Sequence, residues 1–143
     1  MLRGSARGGR PGRLGYPMRR PAQRSQRLSP LRRAKGVKGQ EIAPSILSAD
    51  FANLERDIGR IASADYVHVD VMDGLFVPNI SIGIPVVASI RKVTQMPLDV
   101  HLMIVQPVRY VEQFCDAGAD LVTIHVESDT PEKIQKALDK IHA

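Results

Sequence analysis

Cysteine, long apolar runs and, over the first forty residues, acidic side chains are what this sequence has least of. The one cysteine, Cys115, rules out an internal disulfide and suits a reducing compartment. It falls within a helical pattern where a small apolar residue fits. No apolar run approaches the roughly eighteen residues that cross a bilayer, and the N-terminus has no apolar stretch of secretory type. The expectation is a soluble, cytoplasmic protein with no membrane partner. No Gly-x-Gly-x-x-Gly motif follows the first strand-like run, which weakens a dinucleotide-binding reading.

Charge is unevenly spread. Residues 1–40 hold twelve of the 20 Lys and Arg and no Asp or Glu, a formal charge of +12. From Glu41 onward, eight basic and fifteen acidic residues give −7, so the net +5 belongs to the tail and the body is an ordinary acidic domain. With seven Gly, four Pro and few large apolar residues, the tail cannot bury enough surface to offset its ordering entropy, and disorder is expected over residues 1–40. Three readings of it stand open. Arginine without acid fits an organelle transit peptide, which would place the protein in a plastid. A basic arm could bind anionic surfaces, although no aromatic spacing suggests base stacking, and no nucleic-acid partner is expected. A translated stretch upstream of the true start is the third.

Over 41–143, short β-branched runs alternate with segments of helical period, the pattern of βα units in an α/β protein with a parallel sheet. Strands are expected at about Ile42–Leu47, Tyr66–Met72, Leu98–Ile104 and Leu121–Val126. The intervening helices place Phe51, Leu54, Ile58 and Ile61 inward, then Val86, Val87, Ile90 and Val93 after Pro85. Val108, Val111, Phe114 and Cys115 follow Pro107, with Gly118 closing that helix. Thr130 and Pro131 open a last helix bearing Ile134, Leu138 and Ile141. Two strands share a lead-in, Ala64-Asp65-Tyr66-Val67 and Ala119-Asp120-Leu121-Val122. Such regular spacing points to a barrel or a doubly wound sheet.

Chemistry concentrates on two of these strands. In Val67-His68-Val69-Asp70-Val71-Met72, strict alternation puts His68, Asp70 and Met72 on one face and three valines on the other. In the third strand Asp99, His101 and Met103 share a face. A parallel strand covered on both sides is nearly all apolar, so an imidazole and a carboxylate there need partners or a metal. A His–Asp hydrogen bond is a common structural pair and suffices for one strand alone. Two adjacent strands offering His-x-Asp and Asp-x-His to one interior put two imidazoles and a carboxylate within reach of one divalent ion. The methionines read equally well as core filling.

Four spaced motifs carry a resemblance: Ala43-Pro44-Ser45-Ile46-Leu47-Ser48-Ala49-Asp50-Phe51, His68-Val69-Asp70-Val71-Met72-Asp73-Gly74, Phe76-Val77-Pro78-Asn79 and Asp99-Val100-His101-Leu102-Met103. In this order they resemble the ribulose-phosphate 3-epimerase family from residue 42 to about 128. The resemblance implies a (β/α)8 TIM barrel of the ribulose-phosphate-binding type, with about the first four βα units present here. It implies one divalent ion (zinc, iron(II), manganese or cobalt) on His68, Asp70 and His101, with Asp70 also catalytic. Ser45, His101, Met72 and Met103 would bind a sugar phosphate, the methionines flanking the reacting carbons. The implied reaction is epimerisation of D-ribulose 5-phosphate to D-xylulose 5-phosphate, by a full-length form that is homo-oligomeric. The family's fourth ligand, second aspartate and glycine-rich phosphate loops belong to the other half of the barrel, so this chain alone is expected to be nearly inactive. His125 is not made a ligand and reads as structural or pocket lining, and Asp99 is expected to orient His101. Allulose-phosphate 3-epimerase is the alternative on the same scaffold, and a non-catalytic truncated barrel with a binding tail the alternative of another class. Barrel decarboxylases and aldolases fit less well, because they use a strand-end lysine and these four strands contain none.

Overall fold

A computed structural model describes residues 39–143. All but the last two residues of the tail lie outside this range, and so does the expectation of disorder there. Three strands form one parallel sheet in chain order: β1 (Val67–Met72), β2 (Leu98–Met103) and β3 (Leu121–Ile124). Helix α1 (Leu54–Arg60) leads into β1, α2 (Ile84–Val93) connects β1 to β2, α3 (Val111–Ala117) connects β2 to β3, and α4 (Pro131–His142) follows. Parallel neighbours require such crossovers, because a short hairpin cannot return the chain to the same end of the sheet.

Burial alternates residue by residue along β1 and β2. Val67, Val69, Leu98, Val100 and Leu102 have no exposed surface. They form one core with Ile58 of α1, Val87 and Ile90 of α2, Val111 and Phe114 of α3 and Ala137 of α4. Each of these side chains except that of Ala137 contributes about 1.5–3 kcal/mol by leaving water. Because the side-chain period of a strand is two, this buried set forces His68, Asp70, Met72, Asp99, His101 and Met103 together onto the other face. The core thus decides where the polar residues go.

The shared Ala-Asp lead-ins have a physical role. The Asp65 carboxylate accepts the Ile42 N–H while the Asp65 N–H donates to the Ile42 carbonyl. Asp120 does the same with the N–H and carbonyl of Leu98. Each aspartate clips the start of its strand to the start of the preceding segment, fixing register at one end.

Several boundaries differ from expectation. Residues 42–47 make no full strand. Ser45 forms a single parallel bridge with His68, and the Ile42 and Pro44 carbonyls accept from Asp65, Tyr66 and His68. Pro44 has no N–H to offer a ladder, and the Ser45 hydroxyl takes the Leu47 N–H, which turns the chain into a 3-10 turn at Ile46–Ser48. Phe51 lies in a second such turn capped by Asp50 and is 44% exposed, so it does not join the inward stripe of α1. Val93, the last residue of α2, is likewise exposed. Pro107 opens a 3-10 turn, and α3 begins only at Val111, after Gln106 takes a left-handed conformation with φ 52°. The fourth strand stops at Ile124, because Ser128 folds back to donate its N–H and its hydroxyl to the His125 carbonyl. Thr130 caps α4 with its carbonyl, its side chain making no cap bond.

Gly118 ends α3 as expected, at φ 112°, with its N–H on the Cys115 carbonyl. A Cβ there would lie 2.5 Å from Arg91 Cγ, on the side chain that holds the Thr94 and Met96 carbonyls and Asp120. Gly118→Ala is therefore expected to lower stability by about 1–3 kcal/mol, left-handed strain and steric displacement acting together. Urea denaturation of the two chains measures this, and an unchanged midpoint would refute it.

Candidate metal centre

Parallel pairing places Asp70 beside His101 and His68 beside Asp99. Asp70 Oδ1 is 3.2 Å from His68 Nε2 and 3.3 Å from His101 Nδ1. One donor atom from each of His68, Asp70 and His101 lies within 4.8 Å of the other two, and among the described residues no other group of His, Cys, Asp and Glu is so arranged. Ligands about 2.0–2.2 Å from a tetrahedral ion stand roughly 3.3 Å or slightly more apart, so two edges of the triangle are already at ligand spacing.

Hydrogen bonding supports the same fit. His68 Nδ1 is 2.7 Å from Asp99 Oδ2, the distance of an N–H donating to a carboxylate. With that proton on Nδ1, Nε2, which lies 3.2 Å from an oxygen of Asp70, is the atom of His68 that would face an ion. A divalent ion there would satisfy His68, Asp70 and His101 together, and the Asp99–His68 bond is the kind that sets tautomer and ring orientation in metal sites. Asp99 was expected to orient His101 and instead orients His68, its cross-strand neighbour.

Ser45 reaches the cluster from the segment bridged to β1, its hydroxyl 2.5 Å from Asp70 Oδ2. Burial pushes the Asp70 carboxyl up, but the Ser45 hydrogen bond and the two imidazoles outweigh it and hold the group below its ordinary value. Met72 and Met103 pair in register two residues beyond Asp70 and His101, half-buried on the same face at the C-terminal ends of β1 and β2. That end of the strands is where barrel enzymes carry out their chemistry.

The loop after β1 is tied to this end by Asp73. Its Oδ1 accepts the Leu75 and Phe76 N–H groups and its Oδ2 accepts Val105 N–H, each at 2.9 Å. Gly74 follows at φ 76°, where a Cβ would meet Ile80 Cγ1 at 2.9 Å. Burial raises the Asp73 pKa, but the backbone donors outweigh it and the carboxyl lies below its usual range. A depressed native pKa contributes stability that is fully present above the unfolded value, about 3.9, and is lost as pH falls through the lower native value. Asp73→Asn is expected to reduce stability at neutral pH and to match the parent chain in strong acid. A constant difference in urea midpoint across that range would contradict this.

His125, expected to be structural or pocket lining, lies just beyond β3 and places Nε2 2.7 Å from His101 Nε2 with the two rings stacked, and Phe76 packs against it. The signal was there in the alternation of Thr123 and His125 on the inner face, but a third imidazole had no partner until strand pairing was known.

The pattern described as Ribulose-phosphate 3 epimerase family matches residues 41–143. The chain belongs to the ribulose-phosphate 3-epimerase family. Its α/β fold is accordingly that of a TIM barrel, of which the described residues form the opening βα units. Among curated members, it is 53% identical over 102 residues to the ribulose-phosphate 3-epimerase of Synechocystis sp., covering 70% of this chain and 44% of that protein. The Bacillus subtilis enzyme of that name is 54% identical over 90 residues, 62% of this chain and 42% of its own. The chloroplastic ribulose-5-phosphate-3-epimerase of Arabidopsis thaliana is 49% identical over 102 residues, 70% of this chain and 36% of its own. The chain thus spans less than half the length of these relatives. Among the described residues no helix is long and apolar enough to cross a membrane.

Proposed function

We propose that this chain supplies the metal-binding half of a ribulose-phosphate 3-epimerase, which inverts carbon 3 of D-ribulose 5-phosphate to give D-xylulose 5-phosphate. The observation that carries the reading is the convergence of His68, Asp70 and His101 from adjacent strands, with Ser45 bonded to the same carboxylate. His68, Asp70 and His101 would hold a divalent ion, whether zinc, iron(II), manganese or cobalt. When bound, such an ion supplies positive charge beside the sugar oxygens that become more negative as the carbon 3 proton leaves.

The chain's own residues do the rest. Asp70, kept charged by Ser45 and the imidazoles, accepts the proton from one face of carbon 3. Ser45 fixes the orientation of that carboxylate by its hydrogen bond to Oδ2 and is placed to contact the substrate. Met72 and Met103 form a polarizable wall for the planar intermediate without adding a competing acid. A carboxylate from the second half of the barrel returns a proton on the opposite face, and phosphate loops from that half grip the substrate. The full-length form is proposed to be homo-oligomeric and cytoplasmic, to act on a sugar phosphate and to need no nucleic-acid partner. A plastid location is the alternative that the basic tail raises.

Fusing residues 41–143 to the second half of the Synechocystis sp. relative tests the reading. The fusion is expected to form xylulose 5-phosphate in a coupled assay with added divalent metal, and the chain alone to form almost none. A folded, metal-loaded fusion without turnover would overturn the function. Turnover by the chain alone at the rate of the fusion would show that the second acid is misplaced.

A further inference from the structure

We infer that Ser81 is a positioning residue. Standing in for a strand partner on the outer edge of β1, it fixes the backbone at Asp70 and Met72 and so the direction in which those two side chains enter the site. The inference rests on the function proposed above and concerns a residue to which that mechanism gives no role.

Successive residues of a strand turn their backbone groups to opposite edges. In β1 the Val67 N–H donates to the Pro97 carbonyl at the entry to β2, whereas the His68 N–H donates to the Pro44 carbonyl on the other side. The N–H and C=O groups of Asp70 and Met72 therefore face the same edge as those of His68. These are also the residues whose side chains lie on the site face of the sheet.

The segment that begins to cover this edge does not continue along it. Ser45 bridges His68, and the chain then turns off at Ile46–Ser48. Among the described residues no strand pairs with the outer edge of β1 beyond that point. Backbone groups left without partners in a part-buried place are costly. Ser81, on the return leg of the loop after β1, takes three of them. Its hydroxyl donates to the Asp70 carbonyl at 2.6 Å and accepts the Met72 N–H at 3.0 Å, and its own N–H donates to the Met72 carbonyl at 3.2 Å. Donor and acceptor are fixed in each bond, since a carbonyl only accepts and an N–H only donates. An antiparallel bridge between Asp73 and Ile80 aligns the return leg with the end of β1.

Two serines thus hold one aspartate from different ends, Ser45 by its carboxylate and Ser81 by its carbonyl. A hydroxyl that donates to one backbone group and accepts from another is lost in alanine and kept in threonine. Displacing a reacting group by about 1 Å can cost roughly 10²-fold in rate. Loss of Ser81 therefore acts on proton transfer more than on substrate capture.

The first readout is hydrogen exchange in the parent 143-residue chain. The Met72 amide is expected to exchange roughly 100-fold more slowly than a free peptide. Exchange at the free-peptide rate overturns the inference without any variant having to fold. Ser81→Ala and Ser81→Thr are then compared where circular dichroism shows each to be folded. In the chain alone, Ser81→Ala is expected to bind zinc(II) roughly 10-fold more weakly in a competition titration, and Ser81→Thr to bind like the parent. In the fusion to the second half of the Synechocystis sp. relative, Ser81→Ala should lower kcat roughly 10- to 100-fold with KM changed no more than about three-fold, and Ser81→Thr should recover most of the loss. Lower stability with zinc affinity and kcat both within about two-fold of the parent would make Ser81 a structural residue only and overturn the inference. So would a Ser81→Thr variant as impaired as Ser81→Ala. A parent fusion without turnover overturns the proposed function instead, and zinc affinity of the chain then decides the role of Ser81.

Discussion

Asp70→Asn in the fused barrel is expected to lower kcat for epimerisation by roughly 10²- to 10⁴-fold, the usual contribution of a general base. Asparagine keeps the size of the side chain and an oxygen that can still face the cation, so folding and part of the metal affinity should survive. What it loses is the capacity to accept a proton. Asp70 is suited to that task because the Ser45 hydroxyl on Oδ2 helps to keep the carboxyl ionised, while Oδ1 lies between the two imidazoles where the ion would sit. Measuring kcat alongside bound metal separates the two roles. A variant that keeps its ion and exchanges the carbon 3 proton at the parent rate would remove Asp70 from the chemistry.

Leu102→Ala is expected to destabilise the chain by about 2–5 kcal/mol, a large share of the 5–15 kcal/mol that a domain typically has. Leu102 is fully buried on the helix-facing side of β2, between the two site residues His101 and Met103. Leu121→Ala, at a position 47% exposed at the start of β3, should shift stability by less than about 0.5 kcal/mol. Urea unfolding of both variants gives the comparison, and equal losses would contradict the assignment of faces.

Much of this was legible because two periodicities coincide with chemistry. Alternation in β1 and β2 fixes which side is buried, and that alone gathers His68, Asp70, Met72, Asp99, His101 and Met103 on one face. Positions decided by side-chain hydrogen bonds were not legible. Ser45 could end its segment only by bonding Leu47, and Ser128 could stop the fourth strand only by folding back on His125. Cross-strand partners were likewise hidden. Asp99 lies two residues from His101 in sequence, yet parallel register sets it opposite His68. The His101–His125 contact needed the placement of three strands before it could be read.

X-ray absorption of the 143-residue chain loaded with one equivalent of zinc(II) tests the central claim most directly. The account predicts one ion per chain with only nitrogen and oxygen neighbours at about 2.0–2.2 Å, and outer-shell scattering from two imidazoles. The imidazole signal should fall by half in His68→Ala and in His101→Ala. Sulfur in the first shell, from Cys115 or a methionine, or a spectrum unchanged by both substitutions, would contradict it.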